Sequence, residues 1–203
     1  MTNRRTILAG LLAAPLLALG AAPAAAEASL GEISQYFNSF RTAQGGFTQI
    51  NDDQSISTGT VYIQRPGRVR FEYAPPERQL VVAGGGQVVI LDARGNARGE
   101  TYPLQETPLS IILQDTVDLS RAGMVTNHVS DGTLTTVTAQ DPRHPEYGNI
   151  QLVFSENPVA LRQWVVTNGN GERTTVILND FATGMAHPTS RFSIDRARAE
   201  FAG

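Results

Sequence analysis

The chain has 203 residues, 16 basic and 19 acidic, a net charge of −3 and no cysteine. That balance excludes a nucleic-acid partner, because a phosphate backbone calls for a basic face. The missing cysteines exclude disulfides, thiolate metal sites, thiol nucleophiles and a lipidated cysteine anchor, and the missing lysines exclude Schiff-base chemistry.

Residues 1–26 have the three parts of a secretory signal peptide. Arg4 and Arg5 charge the start, an apolar run follows from Ile7 to Ala22, and Ala24-Ala25-Ala26 offers a small-residue cleavage site. The mature chain is expected to begin at Glu27 and to form a single domain over 27–203. A membrane anchor is the competing reading, but Pro15 and Gly20 interrupt the run, which is shorter than the roughly 20 residues a span needs. Asn3-Arg4-Arg5-Thr6-Ile7-Leu8 fits a twin-arginine signal as well as an ordinary Sec signal. Either route ends, in a bacterium with two membranes, in the periplasm.

Ser29 and Glu32 have the spacing of a capping box, and Leu30, Ile33, Phe37 and Phe40 follow at helical intervals. The pattern predicts an amphipathic helix over 30–43, ended by Gly45-Gly46. Short runs rich in valine, isoleucine, threonine and aromatics come next, divided by glycine, proline and asparagine. They predict strands at 47–51, 58–64, 68–73, 78–83, 87–92 and 99–103. Thr107-Pro108 reads as the start of a short helix carrying Leu109, Ile112 and Leu113 and ending before Val117. Further strands are predicted at 123–129, 133–139, 149–154, 160–167 and 172–181, with a last one at 191–194. Strands joined by tight turns imply a mainly β fold with short helices, an antiparallel meander of about 10–11 strands. A sheet that wide curls, and both helices are expected on its concave side.

Period-two alternation from Gly59 to Tyr73 puts Val61, Ile63, Arg65, Val69, Phe71 and Tyr73 on one side and Arg68, Arg70 and Glu72 on the other. A guanidinium on an apolar face must find acceptors, since an unpaired buried charge is costly. Arg65 is therefore either a clasp or a loop residue at the rim. Val69, Phe71, Tyr73, Ile33, Phe37, Phe40, Leu109, Ile112 and Leu113 either line a cavity or fill a closed core. Trp164 could belong to the core or the rim.

The order of elements resembles the LolA family of periplasmic lipoprotein carriers. The resemblance rests on the first helix followed by Gly46-Phe47-Thr48-Gln49, Gly59, the run Arg65-Pro66-Gly67-Arg68-Val69-Arg70-Phe71-Glu72-Tyr73, Pro75-Pro76, Gly84 to Gly86, and Thr107-Pro108-Leu109. Beyond about residue 120 it rests on strand count and spacing. It implies an unclosed antiparallel β-barrel under a helical lid, whose apolar cavity holds the acyl chains of a lipoprotein. It also implies partners: acylated lipoproteins, an inner-membrane lipoprotein-releasing ABC transporter, and the outer-membrane receptor LolB where present. Arg65 matches the family's functional arginine and Phe71 its cavity aromatic, so Arg65 is expected to latch the lid of a monomer.

No cofactor or metal site is expected. His128, His144 and His187 have no partner that spacing identifies, and the ligand-type residues of Asp141-Pro142-Arg143-His144-Pro145-Glu146 fit no zinc pattern. There is no nucleophile elbow, phosphate loop or dinucleotide fingerprint, so the expectation is a protein that is not an enzyme. Three other readings compete: a hydrolase using His144 or His187, an outer-membrane barrel, and a periplasmic carrier for another lipid or hydrophobic ligand. The strands, mostly about six residues, are short for an outer-membrane barrel.

Overall fold

The computed structural model describes residues 27–93 and 96–202; the expected signal peptide lies outside them. Helix α1 (Leu30–Asn38) is followed by β1 (Thr42–Ile50), β2 (Ile56–Gln64), β3 (Arg68–Tyr73), β4 (Gln79–Gly84), β5 (Gln87–Asp92) and β6 (Asn96–Pro103). After a linker come β7 (Val125–Ser130), β8 (Leu134–Ala139), β9 (Gly148–Glu156), β10 (Val159–Asn168), β11 (Arg173–Thr183) and helix α2 (Ile194–Ala202).

All strands form one 11-stranded antiparallel sheet in the order β6-β5-β4-β3-β2-β1-β11-β10-β9-β8-β7. The expected single meander is thus two, joined where the first strand pairs with the last. Its edges, β6 and β7, are consecutive in sequence yet do not pair, so the barrel stays unclosed. The chain between them cannot return as a tight hairpin. It runs instead as short 3-10 turns, at Leu104–Glu106 and Pro108–Ile111, and loop.

The inner face holds the main core, including Phe47, Val61, Val69, Phe154, Leu152 and Trp164, with Ile33 and Phe37 of α1 packed onto it. Ser29 and Glu32 close the capping box as expected: Ser29 N–H donates to Glu32 Oε2 at 2.9 Å and Glu32 N–H to Ser29 Oγ at 3.2 Å. The Ser29 hydroxyl, donating to Glu32 Oε2 at 2.7 Å, and then the Ser29 N–H hold the exposed Glu32 carboxyl below its usual value.

Three expectations need correction. The helix predicted over 30–43 ends at Asn38, and Gly45-Gly46 do not terminate it: they lie inside β1. A Cβ at Gly45 would stand 2.9 Å from Asn179 O, so glycine there permits close approach of β11 rather than a turn. The helix expected at Thr107 is a 3-10 turn, and Thr107 Oγ1 donates back to Leu104 O instead of capping it. The strand predicted at 191–194 is a 3-10 turn (Thr189–Phe192) leading into α2. α2 lies on the outer face, where Ala197, Ile194 and Phe201 cover Leu80, Val82, Val89 and Leu91. Its charged sequence hid a narrow apolar stripe that only this second patch explains. The lid on the inner side is accordingly α1 plus the 104–124 linker.

Candidate functional site

Arg65 sits at the end of the β2–β3 hairpin with its side chain on the inner face, 4% exposed. Hairpin register fixes that direction, since Ile63 pairs with Val69 and Val61 with Phe71. Every bond of its guanidinium goes to the lid. Nε donates to Gln114 O at 2.9 Å, and Nη2 donates to Asp115 O at 3.0 Å and Asn38 Oδ1 at 3.2 Å. Nη1 donates to Phe37 O and, at 3.3 Å, to Phe40 O. The carbonyls of Phe37 and Phe40 lie in and beyond the last turn of α1, where a helix leaves acceptors free. Burial, then the charge of Arg41, pulls the guanidinium down from its usual value, with Asp115 opposing.

Further bonds tie α1, the residues that follow it and the β2–β3 turn to the linker. Asn38 Nδ2 donates to Val117 O at 2.8 Å while Val117 N–H donates to Asn38 Oδ1 at 2.9 Å. Leu119 N–H donates to Ser34 Oγ, and Gly67 N–H to Leu113 O. Arg41 reaches Asp115 O and Oδ1, both at 2.6 Å. Arg65 is the one buried charge in this set.

Below the clasp the interior is almost solid. Phe37, Phe40, Ile63, Arg65, Ile112, Leu113, Leu161 and Phe181 surround a void of about 10 Å³, no more than one water needs. Further along the inner face a groove of about 350 Å³ opens, lined by Phe71, Tyr73, Val81, Val88, Leu109 and Trp164 among others. Phe71 meets Trp164 edge-on at 6.2 Å, and Phe47 supports Phe71 at 5.4 Å and Tyr73 at 5.2 Å. A Cβ at Gly59 would strike Glu72 O and the Phe47 ring, so glycine there makes room for that ring. Tyr73 Oη donates to Gln49 Oε1 at 2.7 Å, and burial pushes its hydroxyl up to about 12. The groove thus has an apolar floor and a neutral polar end.

The structure divides the nine predicted apolar residues. Phe71, Tyr73 and Leu109 line the open groove; Ile33, Phe37, Phe40, Val69, Ile112 and Leu113 are packed core. Phe71 and Trp164 belong to both, buried in the core yet facing the groove. Sequence reasoning missed Val81, Val88, Val166 and Val176 in the groove, although period-two alternation along β4, β5, β10 and β11 carries them. It also missed the 114–115 carbonyls, because backbone acceptors leave no trace in residue type, and the side chain of Asn38, which meets Arg65 only through the fold.

His144 stacks on Tyr147 at 4.8 Å and lies 3.0 Å from Glu146 Oε1. His187 Nε2 lies 3.2 Å from Ala43 O. Among the described residues no group of three or more metal-ligating side chains is placed to hold an ion, and no helix is long and apolar enough to cross a membrane.

The family model for the outer membrane lipoprotein carrier protein LolA matches residues 38–195. The chain belongs to the LolA family. An outer-membrane lipoprotein carrier protein of Coxiella burnetii is 29% identical over 181 residues, 85% of each chain. One of Methylococcus capsulatus is 38% identical over 87 residues, which cover 40% of this chain and 42% of its own length. The solved structure of a LolA superfamily protein from Nitrosomonas europaea superposes with a TM-score of 0.42 at 12% identity, over 85% of this chain and 100% of that one. In this LolA-family chain Arg65 and all the groove residues named above fall inside the matched span, whereas Ile33 and Phe37 precede it.

Proposed function

We propose that this chain carries the acyl chains of lipoproteins through the periplasm, taking them from an inner-membrane ABC releasing complex and delivering them to the outer membrane, through LolB where that receptor is present. It acts as a monomer, exported by a Sec or twin-arginine signal, and catalyses no reaction. The observation that carries the reading is the Arg65 clasp: a buried cation that fastens a two-part lid by neutral carbonyls beside an apolar groove. Each exposed methylene of cargo costs about 0.8 kcal/mol, so acyl chains must be shielded in transit. A carrier must also release them. A lid that closes well over an empty interior makes the vacant state favourable, and cargo that spreads the lid breaks the clasp.

In this reading Arg65 is the latch. Val69, Ile33, Phe37, Phe40, Ile112 and Leu113 part as the lid lifts and extend the groove formed by Phe71, Tyr73 and Leu109. At about 350 Å³ the groove lies at the small end of ligand sites, which run to about 1,000 Å³, so lipoprotein needs that enlargement. The same size favours a second reading, a carrier for one smaller hydrophobic molecule that enters without moving the lid. Mass spectrometry of protein purified from its native periplasm separates the two: co-purified acylated protein supports the first, free lipid alone the second.

A further inference from the structure

We infer that removal of the signal peptide creates a structural ion pair, in which the new α-ammonium of Glu27 docks on the buried carboxylate of Glu156. This goes beyond carriage of cargo and rests on cleavage after Ala26. Glu156, at the end of β9, is 6% exposed. Its Oε1 accepts hydrogen bonds from Ser130 Oγ and Thr135 Oγ1. Its Oε2 is buried and receives no donor among the described residues. A carboxylate held that way is costly unless a cation arrives. Among the described residues no arginine forms an ion pair with it, and the sequence contains no lysine.

The start of the mature chain is pinned beside it. Ala28 is 2% exposed, its N–H donates to Thr135 Oγ1 at 3.0 Å, and its carbonyl lies 3.0 Å from His128 Nε2. The same ring nitrogen lies 3.3 Å from Glu27 Oε1. Thr135 Oγ1 is therefore shared, accepting from Ala28 and donating to Glu156. Two hydrogen bonds separate Ala28 N from the carboxylate, which keeps the Glu27 nitrogen, one residue further, within about 10 Å of it. Before cleavage that nitrogen is a neutral amide tied to Ala26. Afterwards it is a freely rotating ammonium, charged at neutral pH. Ser29, the cap of α1, follows at once, so the pair anchors the start of the helix whose far end Arg65 holds.

Because the chain lacks lysine, the processed protein has one primary amine, and an amine-selective acetylating ester reports on it alone. Intact mass of protein purified from the periplasm should first show a start at Glu27; any other start overturns the inference. Acetylation of the native protein should then run about tenfold slower than in urea, the factor that one unit of pKa difference produces. Equal rates overturn it. Protein acetylated in urea and refolded should melt about 3–6 °C below the free form, as that tenfold factor, about 1.4 kcal/mol, implies for a chain of this size. Glu156→Gln should abolish that gap; a gap that persists in the variant, or is absent in the parent, overturns the inference. The protection measurement needs no variant and decides the matter even if Glu156→Gln does not fold.

Discussion

Arg65 and Arg70 lie on opposite faces of one hairpin, both buried, 4% and 8% exposed, and they are satisfied in opposite ways. Arg65 faces inward and bonds to four carbonyls and one side-chain amide oxygen, all on the lid. Arg70 faces outward, with Nε donating to Glu72 at 2.6 Å, Nη2 to Glu200 of α2 at 3.2 Å, and Nη1 to Arg191 O at 3.1 Å. The acceptors of Arg65 are uncharged and belong to two segments, α1 with its exit and the 114–115 linker, whereas Arg70 is held mainly by carboxylates that titrate. The inner clasp thus joins the two parts of the lid, and the outer one fixes α2 to the sheet.

The largest effect should come from Arg65→Leu. If each lost charge-assisted bond is worth about 1.5 kcal/mol, the closed state weakens at least tenfold. Loading should persist and unloading to an outer-membrane acceptor should slow by a similar factor in a purified transfer assay. A variant that unloads at the parental rate would break the contrast between the two arginines.

Val81→Trp should fill the open groove without touching either clasp. Overpacking against cargo by about 1–2 kcal/mol predicts roughly tenfold weaker binding of an acylated peptide, measured by titration, with little change in melting. Undiminished affinity would mean that cargo lies elsewhere.

Arg70→Met should lower stability and leave transfer per folded molecule unchanged. Its carboxylate partners are 38% and 42% exposed and can rehydrate, so the loss should be nearer 1–2 kcal/mol than the 3–5 of a fully buried pair. That is a fall of about 2–8 °C in a thermal melt. Slowed unloading at normal stability would instead join the outer clasp to the lid.

Acid should produce the smallest and most discriminating effect. The Glu200 carboxyl is held below the usual carboxylate range, mainly by its hydrogen bond from Arg196 and then by Arg70. A group lowered in the folded state stabilises above its unfolded value, and that contribution fades as pH falls from 4.5 through the lower folded value. Amide exchange in α2 should therefore rise in that window while the last turn of α1 stays protected, because the carbonyl acceptors of Arg65 do not titrate, whereas the Glu32 cap at the other end of α1 does. Simultaneous loosening of α2 and of the last turn of α1 would remove the distinction.

Much of this molecule was legible in residue order. The capping box, the hairpin and the strands over 68–73 and 87–92 all follow from short-range spacing, which left Arg65 as either a clasp or a rim residue. The failures share a cause. Gly45-Gly46 reads as a helix stop because its true reason, the backbone of β11, is far away in sequence. α2 is invisible because its apolar residues make sense only against Leu80, Val82, Val89 and Leu91. The apolar site list mixed groove with core because alternation specifies a face and carries no information about depth.

The sequence by itself determined the class of fold, the faces of the hairpin over 59–73 and the choice for Arg65 between finding acceptors and lying at the rim, since propensity, turn chemistry and period-two alternation act within a few residues. Tertiary structure alone decided that β1 pairs with β11, that β6 and β7 remain apart, that carbonyls at 37, 40, 114 and 115 converge on Arg65, and that space is left beside Phe71 and Trp164. Those are matters of distance between segments remote in the chain, and packing settles them only when the sheet has rolled.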